Sequence, residues 1–308
     1  MRLFWILAIV LVSGFVLSVS DGAWPATELD MRILTELRWP RAVAAALVGS
    51  LLAVCGLFLQ IVLRNPLAEP YILGLSGGAS AAVMFGALLG LAANLTPLLA
   101  LGGAALSLFL LMALTRMGRS DPIRLLLTGV LLSAGFGALS SLILTFSDPV
   151  RTQVSLVWLM GDLSGARLSS LWLVPWIAVV LLAARFSRLL DVFNRGPEAA
   201  AALGINLSAF RALLLGVSGL LTALAVSIAG PIGFIGLLVP HAIRLSNPSG
   251  SHRQWVPQCA VAGAGLLCWA DWLGRSLFDP IQIPAGVTMA VLGIPVLLLL
   301  LGRIYAAR

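Results

Sequence analysis

From Leu3 onward the chain is a succession of long apolar runs, interrupted by short clusters of proline, glycine and charge. A helix needs about 20 mainly apolar residues to cross the hydrocarbon core of a bilayer. Cutting at the breaks predicts ten such helices, at roughly 3–20, 42–63, 72–92, 96–115, 124–146, 169–184, 211–229, 233–245, 256–276 and 285–303. The eighth is short, bounded by Gly230-Pro231 and Asn247-Pro248. The expected fold class is therefore an all-α polytopic membrane protein, one transmembrane domain over residues 1–308 with a polar loop at about 185–211. The run from Leu3 to Val19 follows a single Arg2 and no convincing small-x-small cleavage site follows it, so it is read as the first span rather than a signal peptide.

Charge orients the spans. All 19 basic residues are arginine. Cytoplasmic loops near spans are enriched in such residues. With the N-terminus inside, six arginines face outward (Arg32, Arg38, Arg41, Arg151, Arg167 and Arg275) and the other thirteen face inward. The acids lean the other way, with only Glu69, Asp121, Asp191 and Glu198 inside. Both termini are expected in the cytoplasm. Spans two to five then begin outside and spans seven to ten begin inside, which predicts two four-helix blocks related by inversion, as in many transporters.

Composition then narrows the chemistry. The chain is 60% hydrophobic and 10% charged, against roughly 25% charged in a soluble domain. Without a lysine it cannot form a phosphate-binding P-loop, so any ATP must be bound and hydrolysed by another chain. No cofactor or metal is expected. Cys259 and Cys268 lie nine residues apart on one helix, about 13 Å, too far for a disulfide, and with Cys55 they read as small buried thiols. Ion-coupled secondary transport usually requires ionisable groups inside the membrane, and the spans hold almost none. Asp271 and Arg275, four apart near the outer end of the ninth span, can pair on one helix face.

Two polar features remain. Arg38-Trp39-Pro40-Arg41 enters the second span from outside, where it serves either as an interfacial anchor or as a guanidinium pair awaiting carboxylates of a docking protein, with Arg275 as a third. The second is Gly196-Pro197-Glu198-Ala199-Ala200-Ala201-Ala202-Leu203-Gly204-Ile205-Asn206, a short helix candidate in the cytoplasmic loop. An exposed helix there suits a handle for an external motor: a rigid alanine backbone, Glu198 toward a partner and Gly204 for a tight exit.

These segments, together with Arg64-Asn65-Pro66-Leu67-Ala68-Glu69-Pro70, Trp158-Leu159-Met160-Gly161 and Gly230-Pro231-Ile232-Gly233-Phe234 running on to Pro240-His241 and Arg244, resemble the FecCD family. Its members are permease subunits of type II ABC importers for iron-siderophore, haem and cobalamin. The resemblance runs in order from about residue 30 to the C-terminus. It implies a ten-helix, cobalamin-permease-like subunit of a bacterial inner membrane, working as a homodimer with two ATP-binding cassette subunits below and a periplasmic binding protein above. Residue by residue, it implies that Arg38, Arg41 and Arg275 meet the binding protein, and that Gly196, Glu198, Ala199, Ala200 and Gly204 belong to the ATPase-coupling helix. Asp121-Pro122-Ile123 stands where the cobalamin branch resembles Ser/Thr-rich sequence at its cytoplasmic gate, and the form of Arg64-Asn65-Pro66 looks more like siderophore permeases. An iron chelate is the expected substrate, with cobalamin and haem as alternatives. Asn65-Pro66 and Pro240-His241 match the family without a chemistry that the residues themselves supply.

Overall fold

The computed structural model describes residues 2–20, 27–115, 122–166, 177, 185, 187–195, 202–204, 206–278 and 280–306. Every element among them is helical: α1 (Arg2–Ser20), α2 (Glu28–Ile33) continuing through a π-turn (Leu34–Arg38) into α3 (Trp39–Leu63), then α4 (Leu75–Leu88), α5 (Thr96–Leu114) and α6 (Pro122–Phe146). These are followed by α7 (Pro149–Leu159), α8 (Ser187–Arg195), α9 (Leu207–Ala229), α10 (Ile235–Ser246), α11 (His252–Ser276) and α12 (Ala285–Ala306). Nine of the ten predicted segments coincide with these helices; the sixth, 169–184, lies outside the described residues. Among the described residues four helices, Glu28–Leu63, Thr96–Leu114, Pro122–Phe146 and Leu207–Ala229, are long and apolar enough to cross a membrane.

Helix α3 is the centre of the bundle. Of its most apolar stretch 89% is buried, against 17% for α6, which lies at the periphery. Helices α9, α10 and α11 pack on α3, α1 packs on the far side of α11, and α4 joins α5 and α6 on the other flank. In lipid there is no hydrophobic force between helices, so close backbone approach has to hold them together. Glycines supply it: an added Cβ at Gly49 would stand 2.2 Å from the Gly263 oxygen, at Gly56 1.8 Å from that of Gly236, and at Gly78 2.5 Å from that of Gly103.

Local signals set the helix ends. Thr27 and Asp30 form a capping box that starts α2, and Pro40, which has no N–H to give to the preceding turn, stands where the π-turn passes into α3. Arg64, at φ 48°, ends α3 in the left-handed region. The short helices α2, α7 and α8 were not foreseen, because none is long enough to register as an apolar run. Helix α8 buries Ser187, Leu190 and Phe193, one stripe at three-residue spacing, and shows Arg188 to solvent.

Candidate functional site

At the upper end of the bundle, where α3 begins, three helices converge on Asp271. Its carboxylate is fully buried. The Arg41 Nε donates to both of its oxygens at 3.0 and 3.2 Å, Arg41 Nη2 approaches at 2.9 Å, and Arg275 Nε donates at 3.3 Å. The predicted Asp271–Arg275 pair is thus present, and Arg41 joins it from α3. Outer contacts complete the cluster: Arg41 Nη1 donates to Gln282 Oε1 at 3.2 Å, and Arg275 Nη2 to the Ser18 carbonyl at 3.0 Å and its hydroxyl at 3.1 Å. Arg38 reaches the Ser20 carbonyl through Nη1 at 3.1 Å. All three predicted arginines therefore gather here. The Arg41 and Arg275 side chains are only 11% and 9% exposed, with most of their donors turned inward. A side-on guanidinium fork on a carboxylate is a strong, oriented contact. Two arginines on one carboxylate leave one net positive charge.

A second polar set lies at the opposite end of α3. Gln60 Nε2 donates to the Gly236 carbonyl at 3.1 Å, and Gln60 Oε1 accepts from Arg244 Nη2. Glu69, in the loop after α3, accepts from the Phe234 N–H at 3.1 Å. Phe234 holds φ 70° at the entrance of α10, a strained value for a residue with a Cβ. The carboxyl of Glu69 thus caps a helix that no side chain of its own caps. Burial pushes that carboxyl above the ordinary range, only partly offset by the Phe234 hydrogen bond. Asn65 Oδ1 accepts from the Leu67 N–H at 2.9 Å, turning the chain at Pro66. Pro240 is buried inside α10, and the adjacent His241 has a buried Nε2 without a hydrogen-bond partner.

At the lower end, α8 is fastened to α11. The Asp191 carboxylate accepts from the His252 backbone N–H at 3.0 Å and lies 2.5 Å from its Nδ1. His252 is buried, its Nε2 has no partner among the described residues, and the Trp255 ring meets it edge-on at 4.9 Å. Burial lowers the pKa of His252, against the raising effect of Asp191. Phe193 packs on Phe210 at 5.3 Å with the Arg211 guanidinium over its face at 5.8 Å, tying α8 to α9 as well. The coupling-helix residues Gly196, Glu198, Ala199 and Ala200 lie outside the described residues, as does Asp121 of the gate segment. Gly204 stands at φ 69°, in the left-handed region that glycine adopts readily. Pro122 opens α6 beside an exposed Ile123. Sequence reasoning missed the partners Asp191, His252 and Gln60, because a lone polar residue gives no sign of a contact sixty or more positions away.

Compared with known proteins, the chain matches the model of the FecCD transport family over residues 2–303. It belongs to that family. The vitamin B12 import system permease protein BtuC of Serratia proteamaculans is 37% identical over 305 residues, covering 96% of this chain and 91% of that protein. The Fe(3+) dicitrate transport system permease protein FecD of Escherichia coli K12 is 40% identical over 287 residues, covering 91% and 88%. The iron(3+)-hydroxamate permease FhuG of Bacillus subtilis is 37% identical over 287, covering 89% and 85%. Among solved structures, a metal-chelate type ABC transporter in an inward-facing conformation superposes with a TM-score of 0.89 at 27% identity, covering 98% of this chain and 99% of that one. The all-helical architecture is thus that of a family of transport permeases.

Proposed function

We propose that the chain is the permease subunit of an ATP-driven importer of the bacterial inner membrane, carrying an iron chelate from a periplasmic binding protein to the cytoplasm. The observation that carries this reading is the family match from residue 2 to residue 303. Chemistry agrees: a chain without lysine cannot hold a P-loop, so the ATPase is a separate subunit. In this reading the ten spans include 169–184, the two four-helix blocks are inverted, and both termini lie in the cytoplasm with the lower end of the bundle. Two copies associate through the periphery around α6, where Gly135 and Gly137 have open space beyond their Cα atoms, and substrate passes between them. The ATPase seats on the 185–211 loop, with Gly204 as the tight exit of its helix, and Asp121-Pro122-Ile123 flanks the inner gate. The net positive charge of the Arg38, Arg41 and Arg275 cluster faces carboxylates of the binding protein, while Arg41 and Arg275 turn most of their donors to Asp271, Gln282 and Ser18.

The substrate class is tested in a reconstituted complex. Binding protein loaded with ferric chelate is expected to stimulate ATP hydrolysis, and stimulation by cobalamin-loaded protein alone would favour the second reading, which the 37% identical vitamin B12 permease supports. Orientation is tested by single cysteines: Arg188→Cys and Ser164→Cys, both at exposed positions, are expected to react with impermeant maleimide from opposite sides.

A further inference from the structure

Helix α11 lacks a cap of its own. Ser251 occupies the N-cap position in extended backbone, yet its side chain makes no capping hydrogen bond. The first-turn N–H groups of a helix need acceptors, and a carboxylate is the best of them because it also meets the positive end of the helix dipole. Asp191 provides one, from sixty-one positions earlier in the chain, by accepting from the His252 N–H at 3.0 Å. The same oxygen holds the His252 ring through Nδ1 at 2.5 Å. Helix α8, which carries Asp191, is only nine residues long and is wedged by Leu190 and Phe193, so the carboxylate cannot shift without shifting the helix.

The other end of α11 is tied by more contacts. Asp271 and Arg275 are bonded to Arg41 of α3 and Ser18 of α1. From His252 to Asp271 the helix spans nineteen residues, about 28 Å at 1.5 Å per residue. One continuous helix, with Pro257 in its second turn, therefore has a hydrogen-bonded tie to the polar loop at its lower end and an ionic tie to the arginine rim at its upper end. Rigid elements with discrete contacts at both ends are what can carry coupling between distant sites.

We propose that Asp191 is a positioning residue that hands movement of the 185–211 loop to α11, and through α11 to the Asp271 cluster. The proposal rests on the reading that an ATPase subunit docks on that loop.

The test uses the whole complex, permease with ATPase subunit, in lipid nanodiscs. Leu277→Cys, exposed just past the end of α11, takes a spin label, and the distance between the two labels of a dimer is measured without nucleotide and after trapping with ATP and vanadate. Wild-type Asp191 is expected to give a clear shift. Asp191→Ala is expected to trap the same amount of nucleotide and lose at least half of the shift. Asp191→Asn, which keeps an acceptor for the His252 N–H and so preserves the cap, is expected to fall between them. A full shift in Asp191→Ala would overturn the proposal. So would wild-type trapping with an unmoved rim, or loss of the ATPase from both variants, since Asp191 would then serve docking alone. A wild-type permease that holds no ATPase at all would end the docking reading, and this inference with it.

Discussion

The two ends of α11 are secured in opposite ways. At the upper end one buried carboxylate is shared by two guanidiniums, which are held in turn by Gln282 and Ser18. At the lower end one carboxylate, 30% exposed, serves a buried histidine that keeps an unpartnered nitrogen. The upper cluster has redundant contacts and the lower has a single set. Redundancy fixes a helix end, whereas a single latch lets it be released. The same helix is thereby anchored at the rim and left adjustable at the side of the polar loop.

The largest effect is expected from Asp271→Ala, which strands two buried guanidiniums. Removing one member of a buried ionic set costs about 3–5 kcal/mol, so thermal unfolding of the purified permease should occur far below wild type. If redundancy is real, Arg41→Ala should cost less, about 1.5–3 kcal/mol for its charged hydrogen bonds, because Arg275 still neutralises Asp271. Equal losses in the two variants would erase the contrast between the ends. For docking, Arg38→Glu, which leaves Asp271 and its two guanidiniums intact, should weaken binding-protein association measured at low salt while the ATPase still copurifies; unchanged affinity would leave Arg38 as structural only.

Smaller effects come with pH. Glu69 has a raised folded pKa, so its contribution to stability is present below the ordinary value of 4.5 and is lost as pH rises through the folded value. Glu69→Gln keeps an acceptor for Phe234 and should remove that slope in melting curves taken from about pH 4 to 8. His252 behaves in the opposite sense: its lowered pKa gives stability that is present above 6.5 and fades as pH falls through the folded value. In His252→Gln that loss on the acid side should vanish. A wild-type slope that survives the substitution would place the titration elsewhere.

Much of the bundle was legible because apolar run length is a local property. The nine coinciding helices each announce themselves in one uninterrupted apolar run, and Asp271–Arg275 follows from four-residue spacing on one helix. Helix α8 was not legible, since its nine residues carry buried Leu190 and Phe193 among charges and resemble any polar loop. Nor was the third member of the upper cluster: Arg41 and Asp271 are 230 positions apart, and nothing in either neighbourhood names the other. The arginines were read as turned outward because a guanidinium at an interface ordinarily seeks water. Here a buried carboxylate on the adjoining helix outweighs that tendency.

The crossing of Gly56 and Gly236 has a hereditary consequence. Any single-base change in a glycine codon that alters the residue introduces a Cβ or ends the chain. At Gly56 that atom would fall 1.8 Å from a backbone oxygen, which no partner substitution can trim away. At Gly236 it would meet the Leu52 oxygen at 3.0 Å and Pro70 Cδ at 3.1 Å, contacts that a small shift relieves. Descendants of this chain can therefore drift to alanine on one side of the crossing, while the other side stays closed to every one-step mutation.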